Sequence, residues 1–299
     1  MIVRRRGGGH LLAAAALFIL GIWVSGASAQ GTSDDEAVAR GAYIFRAAGC
    51  LVCHTDTKNK GKPLAGGRAL ATPFGTFYTP NITPDPTYGI GAWSDADFLR
   101  ALHDGIHPDG HDLYPAFPYT SYTGMTDEDA LDLKAYIFAQ PPVAQPNRAH
   151  ELNFPFGFRI LLAPWRTLFF RPGWRVSDPA RDAQWNRGAY LVNTLGHCAE
   201  CHTPRNFLGA MNRDRAFAGT LDGPDGKKVP NITPDPKDGI GKWDPSDITY
   251  MLKSGFLPNG DYVGGAMTDV VEESTGHLSD DDRAAIAAYL KNLKPLPGP

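Results

Sequence analysis

The sequence predicts an all-α protein of two tandem domains that follow an export signal. Three observations support this prediction. The chain repeats itself, since Arg40-Gly41-Ala42-Tyr43 recurs as Arg187-Gly188-Ala189-Tyr190. Helix-capping patterns recur between Pro- and Gly-rich loops, whereas no run of alternating apolar and polar residues indicates a strand. The first thirty residues are typical of a secretory leader.

The leader begins with a basic run, Arg4 to Arg6, and continues with an apolar stretch from Leu11 to about Val24. It ends in Ala27-Ser28-Ala29, which is the small-residue pattern of a cleavage site. The apolar stretch is shorter than the ~20 residues that a membrane span requires. Residues 1–29 are therefore predicted to be a signal peptide, and an uncleaved N-terminal anchor is the alternative.

Cleavage removes three arginines and no acidic residue, which changes the formal charge from −3 to −6. Nucleic-acid binding depends on clustered Lys and Arg side chains that contact phosphates, so this composition argues against a nucleic-acid partner. A mildly acidic surface suits docking to a basic patch on another protein. The remaining chain, about 270 residues, has the length of two domains.

A second doubled segment supports the division into domains. Pro80-Asn81-Ile82-Thr83-Pro84-Asp85-Pro86 recurs from Pro230 to Pro236, and both copies continue through Gly-Ile-Gly to a tryptophan, Trp93 or Trp243. An internal repeat of this kind predicts two domains of the same fold. We place the first domain at residues 35–140 and the second at residues 181–296, joined by an aromatic- and Pro-rich linker at residues 141–180.

Each domain is predicted to consist of short helices with capping signals. The predicted helices are 35–48, 94–103 and 126–138 in the first domain and 182–195, 246–253 and 279–293 in the second. Two helices are predicted to start at single serines, Ser94 and Ser246. Two more are predicted to start at capping pairs, Thr126 with Asp129 and Ser279 with Asp282. The linker aromatics are predicted to pack between the domains, and an exposed surface for a partner or the membrane is the alternative. These aromatics are Phe154, Phe156, Phe158, Trp165, Phe169, Phe170 and Trp174.

The four cysteines occur in two C-x-x-C-H motifs, Cys50-Leu51-Val52-Cys53-His54 and Cys198-Ala199-Glu200-Cys201-His202. This is the attachment pattern of c-type haem. Two thiols at this spacing add to the two vinyl groups of one macrocycle, and the histidine that follows is held beneath the iron. The sequence therefore predicts two covalently bound haems c, attached through Cys50, Cys53, Cys198 and Cys201, with His54 and His202 as proximal ligands.

Other uses of the cysteines fit less well. Four cysteines in an exported protein ordinarily indicate two disulfides. The two pairs of a zinc ribbon usually lie close together in sequence, and a thioredoxin-type motif occurs once, in a βαβ setting. None of these explains a histidine after both pairs. Haem attachment is favoured, and each haem would supply much of the core that a domain of ~100 residues lacks.

The sixth ligand of each iron decides between a closed electron carrier and a haem that binds other ligands. Met125 and Met267 each precede the final helix of a domain, where a loop can reach the haem face opposite the histidine. We predict both as distal ligands, and core packing is the alternative. Counting forward from Gly105 and Gly255, the equivalent of Met267 is Phe117, so the two ligand loops are predicted to differ.

Other side chains are weaker candidates for the distal position. Met211 lies too soon after His202 to reach the opposite haem face, and Met251 falls in the middle of a predicted helix. His103, His107 and His111 leave bis-histidine ligation open in the first domain.

Three segments resemble the cytochrome c subunits of bacterial periplasmic dehydrogenases, such as those that oxidise alcohols, gluconate, aldehydes or N-heterocycles. They are Leu113-Tyr114-Pro115-Ala116-Phe117-Pro118-Tyr119, the doubled Asn-Ile-Thr-Pro-Asp-Pro segments, and Trp185-Asn186-Arg187-Gly188-Ala189-Tyr190. The resemblance runs from about Asp35 to Leu296. It implies class I cytochrome c-like domains and the same cysteine, histidine and methionine roles.

The resemblance also implies a function. Such subunits take electrons from the catalytic subunit of a periplasmic dehydrogenase and pass them on. Their commonest form has three haem domains and a C-terminal membrane attachment, whereas this sequence has two domains. Transfer to a downstream cytochrome or oxidase is therefore favoured over direct quinone reduction, and peripheral association with the membrane is left open. The alternative is a di-haem enzyme such as a peroxidase, in which one haem opens a coordination site.

Overall fold

The computed structural model describes the backbone of residues 27–299 and the side chains of residues 34–299 except residue 225. The predicted signal peptide lies outside the described residues, apart from residues 27–29 at the start of the first helix. Within residues 27–299, no helix combines the length and the apolar character that a membrane crossing needs.

The elements follow the order that the repeat predicts. In the first repeat they are α1 (Ala27–Ala47), α2 (Cys50–His54), β1 (Ala69–Thr72), β2 (Gly75–Tyr78), α3 (Asp95–Asp104), α4 (Tyr119–Tyr122) and α5 (Asp127–Phe138). The connecting segment contains β3 (Glu151–Leu152) and α6 (Leu162–Phe169). In the second repeat they are α7 (Ala183–Tyr190), α8 (Ala199–His202), α9 (Pro245–Ser254), α10 (Ala266–Glu273) and α11 (Asp280–Lys291). The prediction of a helix-rich tandem fold is confirmed.

Side-chain capping sets the starts of α3, α5, α7 and α11. The hydroxyls of Thr126 and Ser279 each accept a hydrogen bond of 3.1 Å from the backbone N–H three residues later, as predicted. The predicted start of α9 at Ser246 was wrong. That helix begins at Pro245, and the side chain of Asp247 reaches back to the backbone N–H of Asp244 at 2.9 Å.

The predicted helix 182–195 changes its winding partway. α7 ends at Tyr190, and a π-helical turn follows over Leu191–Leu195, closed by a 2.7 Å bond from the N–H of Gly196 to the carbonyl of Leu191. Cys198 lies ten positions after Gly188, whereas Cys50 lies nine positions after Gly41. The wider turn accommodates the extra residue.

The structure also contains a small antiparallel sheet that the sequence did not predict. Its strand order is β1-β2-β3, so that β2 lies in the middle and pairs with β1 of the same repeat and with β3 of the connecting segment. The purely helical prediction was wrong in this detail because strands of two to four residues are too short to show an alternating pattern. The sheet fastens the connecting segment to the first repeat.

Each repeat is closed by its first and last helices, α1 with α5 and α7 with α11. A Cβ atom on Gly41 would lie 1.8 Å from the carbonyl oxygen of Asp132, and one on Gly188 would lie 2.0 Å from that of Ala285. Only glycine permits this approach. The arginine before each glycine then binds the last helix, since Arg40 contacts Asp132 at 2.6 and 3.0 Å.

The tyrosine of each Arg-Gly-Ala-Tyr motif reaches the other repeat. The Tyr43 hydroxyl donates to Asp282 at 2.6 Å, and the Tyr190 hydroxyl donates to Asp129 at 2.5 Å. Both acceptors lie in the first turn of the partner repeat's last helix, three positions after its N-cap residue. The doubled motif thus packs each repeat internally and joins the two repeats reciprocally.

The buried apolar residues form one cluster that extends through both repeats. The connecting segment only partly follows the prediction that its aromatics pack between the domains. Phe170 is buried against Tyr119, with ring centroids 5.0 Å apart, and Arg213 stacks on Trp174 at 4.7 Å. Phe154 and Phe158, in contrast, are 86% and 57% exposed.

Candidate haem-attachment sites

The two C-x-x-C-H motifs fold as short helical turns, α2 and α8, which follow the first helix of each repeat. We call α2 and α8 the attachment turns. None of the four cysteines forms a disulfide. Burial raises the pKa of Cys50 and of Cys198 to about 12. An environment that disfavours thiolates does not suit a structural zinc site, which binds through them. It is compatible with thiols that form thioethers.

The two histidines share one orientation. The Nδ1 atom of His54 lies 2.8 Å from the carbonyl oxygen of Pro80, and that of His202 lies 2.8 Å from the carbonyl oxygen of Pro230. A carbonyl only accepts, so Nδ1 carries the proton and Nε2 keeps its lone pair free for a metal. Burial lowers the pKa of both rings, which favours the neutral form that ligates iron. These residues fit haem c.

The doubled Pro-Asn-Ile-Thr segment therefore orients the two motif histidines, which are the predicted proximal ligands. Its asparagine is also a structural fastener. The amide nitrogen of Asn81 donates to the carbonyl of Val143 at 2.7 Å, and that of Asn231 donates to the carbonyl of Leu296 at 2.7 Å. Each asparagine thereby ties its loop to the chain that follows the last helix of the repeat.

The two candidate distal ligands occupy different local structures. Met125 is fully buried in the turn between α4 and α5, where its N–H donates to the carbonyl of Tyr122 at 2.8 Å. Met267 is the second residue of α10 and is partly buried. Phe117, which is the positional equivalent of Met267, packs against the Tyr122 ring at 5.7 Å. The distal roles of Met125 and Met267 remain predictions.

The first-repeat histidines have other partners. Nδ1 of His107 and Nδ1 of His111 lie 3.0 and 2.5 Å from one carboxylate oxygen of Asp109. His103 lies on α3 with its Nδ1 atom 3.7 Å from Asp127. Bis-histidine ligation by these residues gains no support from the arrangement.

Glu200, between the two cysteines of the second motif, is a buried charge whose role the sequence did not indicate. Its carboxylate accepts hydrogen bonds from Thr120 at 2.6 Å and Ser121 at 3.0 Å, both on α4 of the first repeat, and pairs with Arg205. Burial alone would raise the pKa of Glu200, but the charge of Arg205 and the Thr120 hydrogen bond outweigh it and hold the pKa below its usual range.

The first motif contacts the second repeat in a different way. Its equivalent of Glu200 is the apolar Val52, whose carbonyl accepts a 2.5 Å hydrogen bond from Arg68. Arg68 also forms a 2.9 Å ion pair with Asp269 of α10, and α10 packs against α2. Each attachment turn is thus in contact with the helix that precedes the last helix of the other repeat.

Comparison with known proteins agrees with this geometry. The family model described as "Cytochrome c" matches residues 38–139, and the one described as "Cytochrome C oxidase, cbb3-type, subunit III" matches residues 183–290. A "Diheme cytochrome c-type" protein of Cereibacter sphaeroides is 46% identical over 258 residues, which cover 85% of each chain.

Two longer relatives are cytochrome subunits of dehydrogenases. The "Gluconate 2-dehydrogenase cytochrome c subunit" of Pantoea cypripedii is 43% identical over 284 residues, 92% of this chain and 64% of that protein. The "Fructose dehydrogenase cytochrome subunit" of Gluconobacter japonicus is 42% identical over 258 residues, 86% of this chain and 52% of that protein. The present chain therefore spans only part of each. With a cytochrome c match over each attachment motif, the chain belongs to the cytochrome c family, as an electron-transfer protein that carries two covalently bound haems c.

Proposed function

We propose that this cytochrome receives electrons from the catalytic subunit of a periplasmic dehydrogenase and passes them to a downstream cytochrome or oxidase. The relatives named as dehydrogenase subunits support the upstream partner. The leader predicted at residues 1–29 supports export to the periplasm, where peripheral association with the inner membrane is compatible with the proposal. The observation that carries it is the pair of attachment turns, each in contact with the other repeat.

We assign the haem domains to residues 35–140 and 181–296, with the linker at 141–180. The family matches at 38–139 and 183–290 support these bounds. Cys50 and Cys53 attach one macrocycle, and Cys198 and Cys201 attach the other. His54 and His202 are the proximal ligands and Met125 and Met267 the distal ones. Each haem supplies an iron that gains and loses one electron.

The chain's own residues control that chemistry. The carbonyls of Pro80 and Pro230 fix the tautomer and orientation of the proximal histidines. The carboxylate of Glu200 places a negative charge beside one attachment turn, where the other has the apolar Val52. No acid, base or nucleophile is required, because the protein sets potential, distance and docking.

We further propose that the dehydrogenase docks on an apolar surface formed by large side chains that are 45–86% exposed. These are Phe154, Phe158, Ile160, Leu161, Leu168 and Phe207. The ring centroids of Phe154 and Phe158 are 5.9 Å apart. The Trp165 indole N–H donates to the carbonyl of Leu208 at 2.9 Å, which connects α6 with the loop that contains Phe207. Exposed apolar patches of this kind are usually binding surfaces.

Purification from the native host tests the proposal. The protein is tagged at its C-terminus, isolated gently, and its partners are identified by mass spectrometry. A stoichiometric flavin, quinoprotein or molybdenum dehydrogenase is expected with the wild type, and is lost from the Phe154→Ser/Ile160→Ser/Phe207→Ser variant. The control, Leu221→Ser, changes an apolar side chain exposed elsewhere and retains the partner. Isolation of the wild type without a dehydrogenase would contradict the proposal.

A further inference from the structure

The loop that follows α3 carries three metal-ligating side chains within five residues, His107-Pro108-Asp109-Gly110-His111. Its backbone is a tight hairpin. The N–H of His107 donates to the carbonyl of His111 at 3.0 Å, and the N–H of Gly110 donates to the carbonyl of His107 at 2.8 Å. Gly110 adopts a φ of 92°, which few other residues tolerate. The loop therefore brings its first and last histidines together.

The side chains converge on one point. One nitrogen from each histidine and one oxygen of Asp109 all lie within 4.8 Å of one another. The two rings stack with centroids 4.4 Å apart and planes 13° apart, and the Trp93 ring meets His107 edge-on at 5.4 Å. Packing thus holds the ligand atoms on the same side of the loop.

The second repeat shows that the loop does not need these side chains in order to fold. The N–H of Leu257 donates to the carbonyl of Asp261 at 2.8 Å, the N–H of Gly260 donates to the carbonyl of Leu257 at 2.9 Å, and Gly260 has a φ of 89°. The positions of His107, Asp109 and His111 are taken there by Leu257, Asn259 and Asp261. The same hairpin forms without either histidine.

We propose that His107, Asp109 and His111 bind a divalent transition-metal ion of the Zn²⁺ type. Two imidazoles and one carboxylate are a donor set that Zn²⁺ accepts, with a water in the fourth position. The site is separate from the haem-attachment motifs, and it lies on the loop that leads to α4 and Met125. A bound ion would fix the conformation of that loop.

The charge states of the ligands suit a metal. Burial, and to a lesser extent the nearby Arg159, lowers the pKa of His111, which favours a neutral ring. The backbone N–H of His111 holds the pKa of Asp109 below its usual value, which favours a carboxylate. Ligands of a tetrahedral zinc ion are about 3.3 Å apart at the usual bond lengths. Asp109, 60% exposed, has room to retreat the short distance that this requires.

Equilibrium dialysis of the haem-loaded protein against Zn²⁺, without a polyhistidine tag, tests the proposal. The wild type is expected to bind one equivalent. The variant His107→Leu/Asp109→Asn/His111→Asp gives the loop the residues of the second repeat, so it is expected to fold and to bind Zn²⁺ at least tenfold more weakly. The control His277→Gln removes an exposed histidine elsewhere and keeps the site.

Thermal unfolding supplies an independent readout, since an ion that binds only the folded protein raises its unfolding temperature. Zn²⁺ is expected to raise that temperature in the wild type and in His277→Gln but not in the triple variant. Haem absorbance confirms that all three proteins are loaded and folded. Equal Zn²⁺ binding by the triple variant, or none by the wild type, would overturn the proposal.

Discussion

The Tyr43 hydroxyl of the first repeat donates a 2.6 Å hydrogen bond to Asp282 of the second repeat. The same carboxylate receives two hydrogen bonds from Arg187, at 2.8 and 2.7 Å, from within its own repeat. Asp282 therefore combines two tasks, because it closes α7 on α11 and also fastens the first repeat to the second.

Removal of the tyrosine hydroxyls tests the strength of this junction. Tyr43→Phe leaves a largely buried carboxylate without one donor, so we expect the free energy of unfolding to fall by about 1–3 kcal/mol. Tyr190→Phe, which acts on Asp129, is expected to have a similar effect. Denaturant unfolding of the haem-loaded protein measures both. The exposed Tyr250→Phe is the control, and an equal loss there would refute the assignment.

Acid sensitivity should depend on Asp282. Burial tends to raise its pKa, but the hydrogen bonds from Arg187 and Tyr43 outweigh burial and hold the pKa below its ordinary value. Its stabilising contribution is therefore complete above the unfolded-state pKa of about 4 and is lost as the pH falls through the lower folded-state value. Asp282→Asn should be less stable than the wild type at pH 7, and the difference should shrink below about pH 4. Unfolding temperatures measured from pH 7 to pH 3 check this, and a constant difference would contradict it.

The charge of Glu200 should separate the two midpoint potentials. A buried carboxylate beside an attachment turn stabilises the more positive, oxidised haem. Glu200→Gln is therefore expected to raise one midpoint and to leave the other nearly unchanged in a spectroelectrochemical titration. Glu272→Gln, an exposed carboxylate, should change neither. If Glu200→Gln has the same two midpoint potentials as the wild type, Glu200 does not set the potential of either haem.

Carbon monoxide tests the distal ligands. If Met125 and Met267 close both irons, the reduced wild type binds no carbon monoxide at neutral pH. Met125→Ala and Met267→Ala should each free the distal position of one iron, so that carbon monoxide binds there and changes the absorbance band of that haem. Met211→Ala should free neither position. Binding by the wild type would show that at least one of the two methionines does not close its iron.

The features that sequence predicted best are local ones. Thr126 and Ser279 cap α5 and α11 because a cap and its acceptor lie three residues apart, so the pattern is visible in one short window. The cysteine motifs are equally local. The start of α9 was misplaced because Asp244 and Ser246 are both good capping residues. The sequence does not show which of the two becomes the N-cap, and in the structure it is Asp244.

Long-range roles were not predictable in the same way. The Arg-Gly-Ala-Tyr repeat was recognised, but the partner of Tyr43 lies 239 positions away, and no spacing rule links the two residues. The contact of Glu200 with Thr120 is similarly distant, at 80 positions. Both depend on how the repeats pack. One signal in the sequence could have identified Glu200. It is a charged residue in the second haem motif, whereas the first motif has the apolar Val52 at the same position.

The reciprocal tyrosine contacts have a consequence for how the two haems come to differ. Contacts that are exchanged in this way are the geometry of a symmetric dimer, in which every substitution appears twice. Here both halves lie in one polypeptide, so each position can change alone. Two pairs of equivalent positions differ between the repeats in this way, Val52 with Glu200 and Phe117 with Met267. In each pair one repeat differs from the other while the fold of both is kept. Covalent fusion therefore allows an ordered pair of unequal electron sites, which a dimer of identical subunits cannot encode.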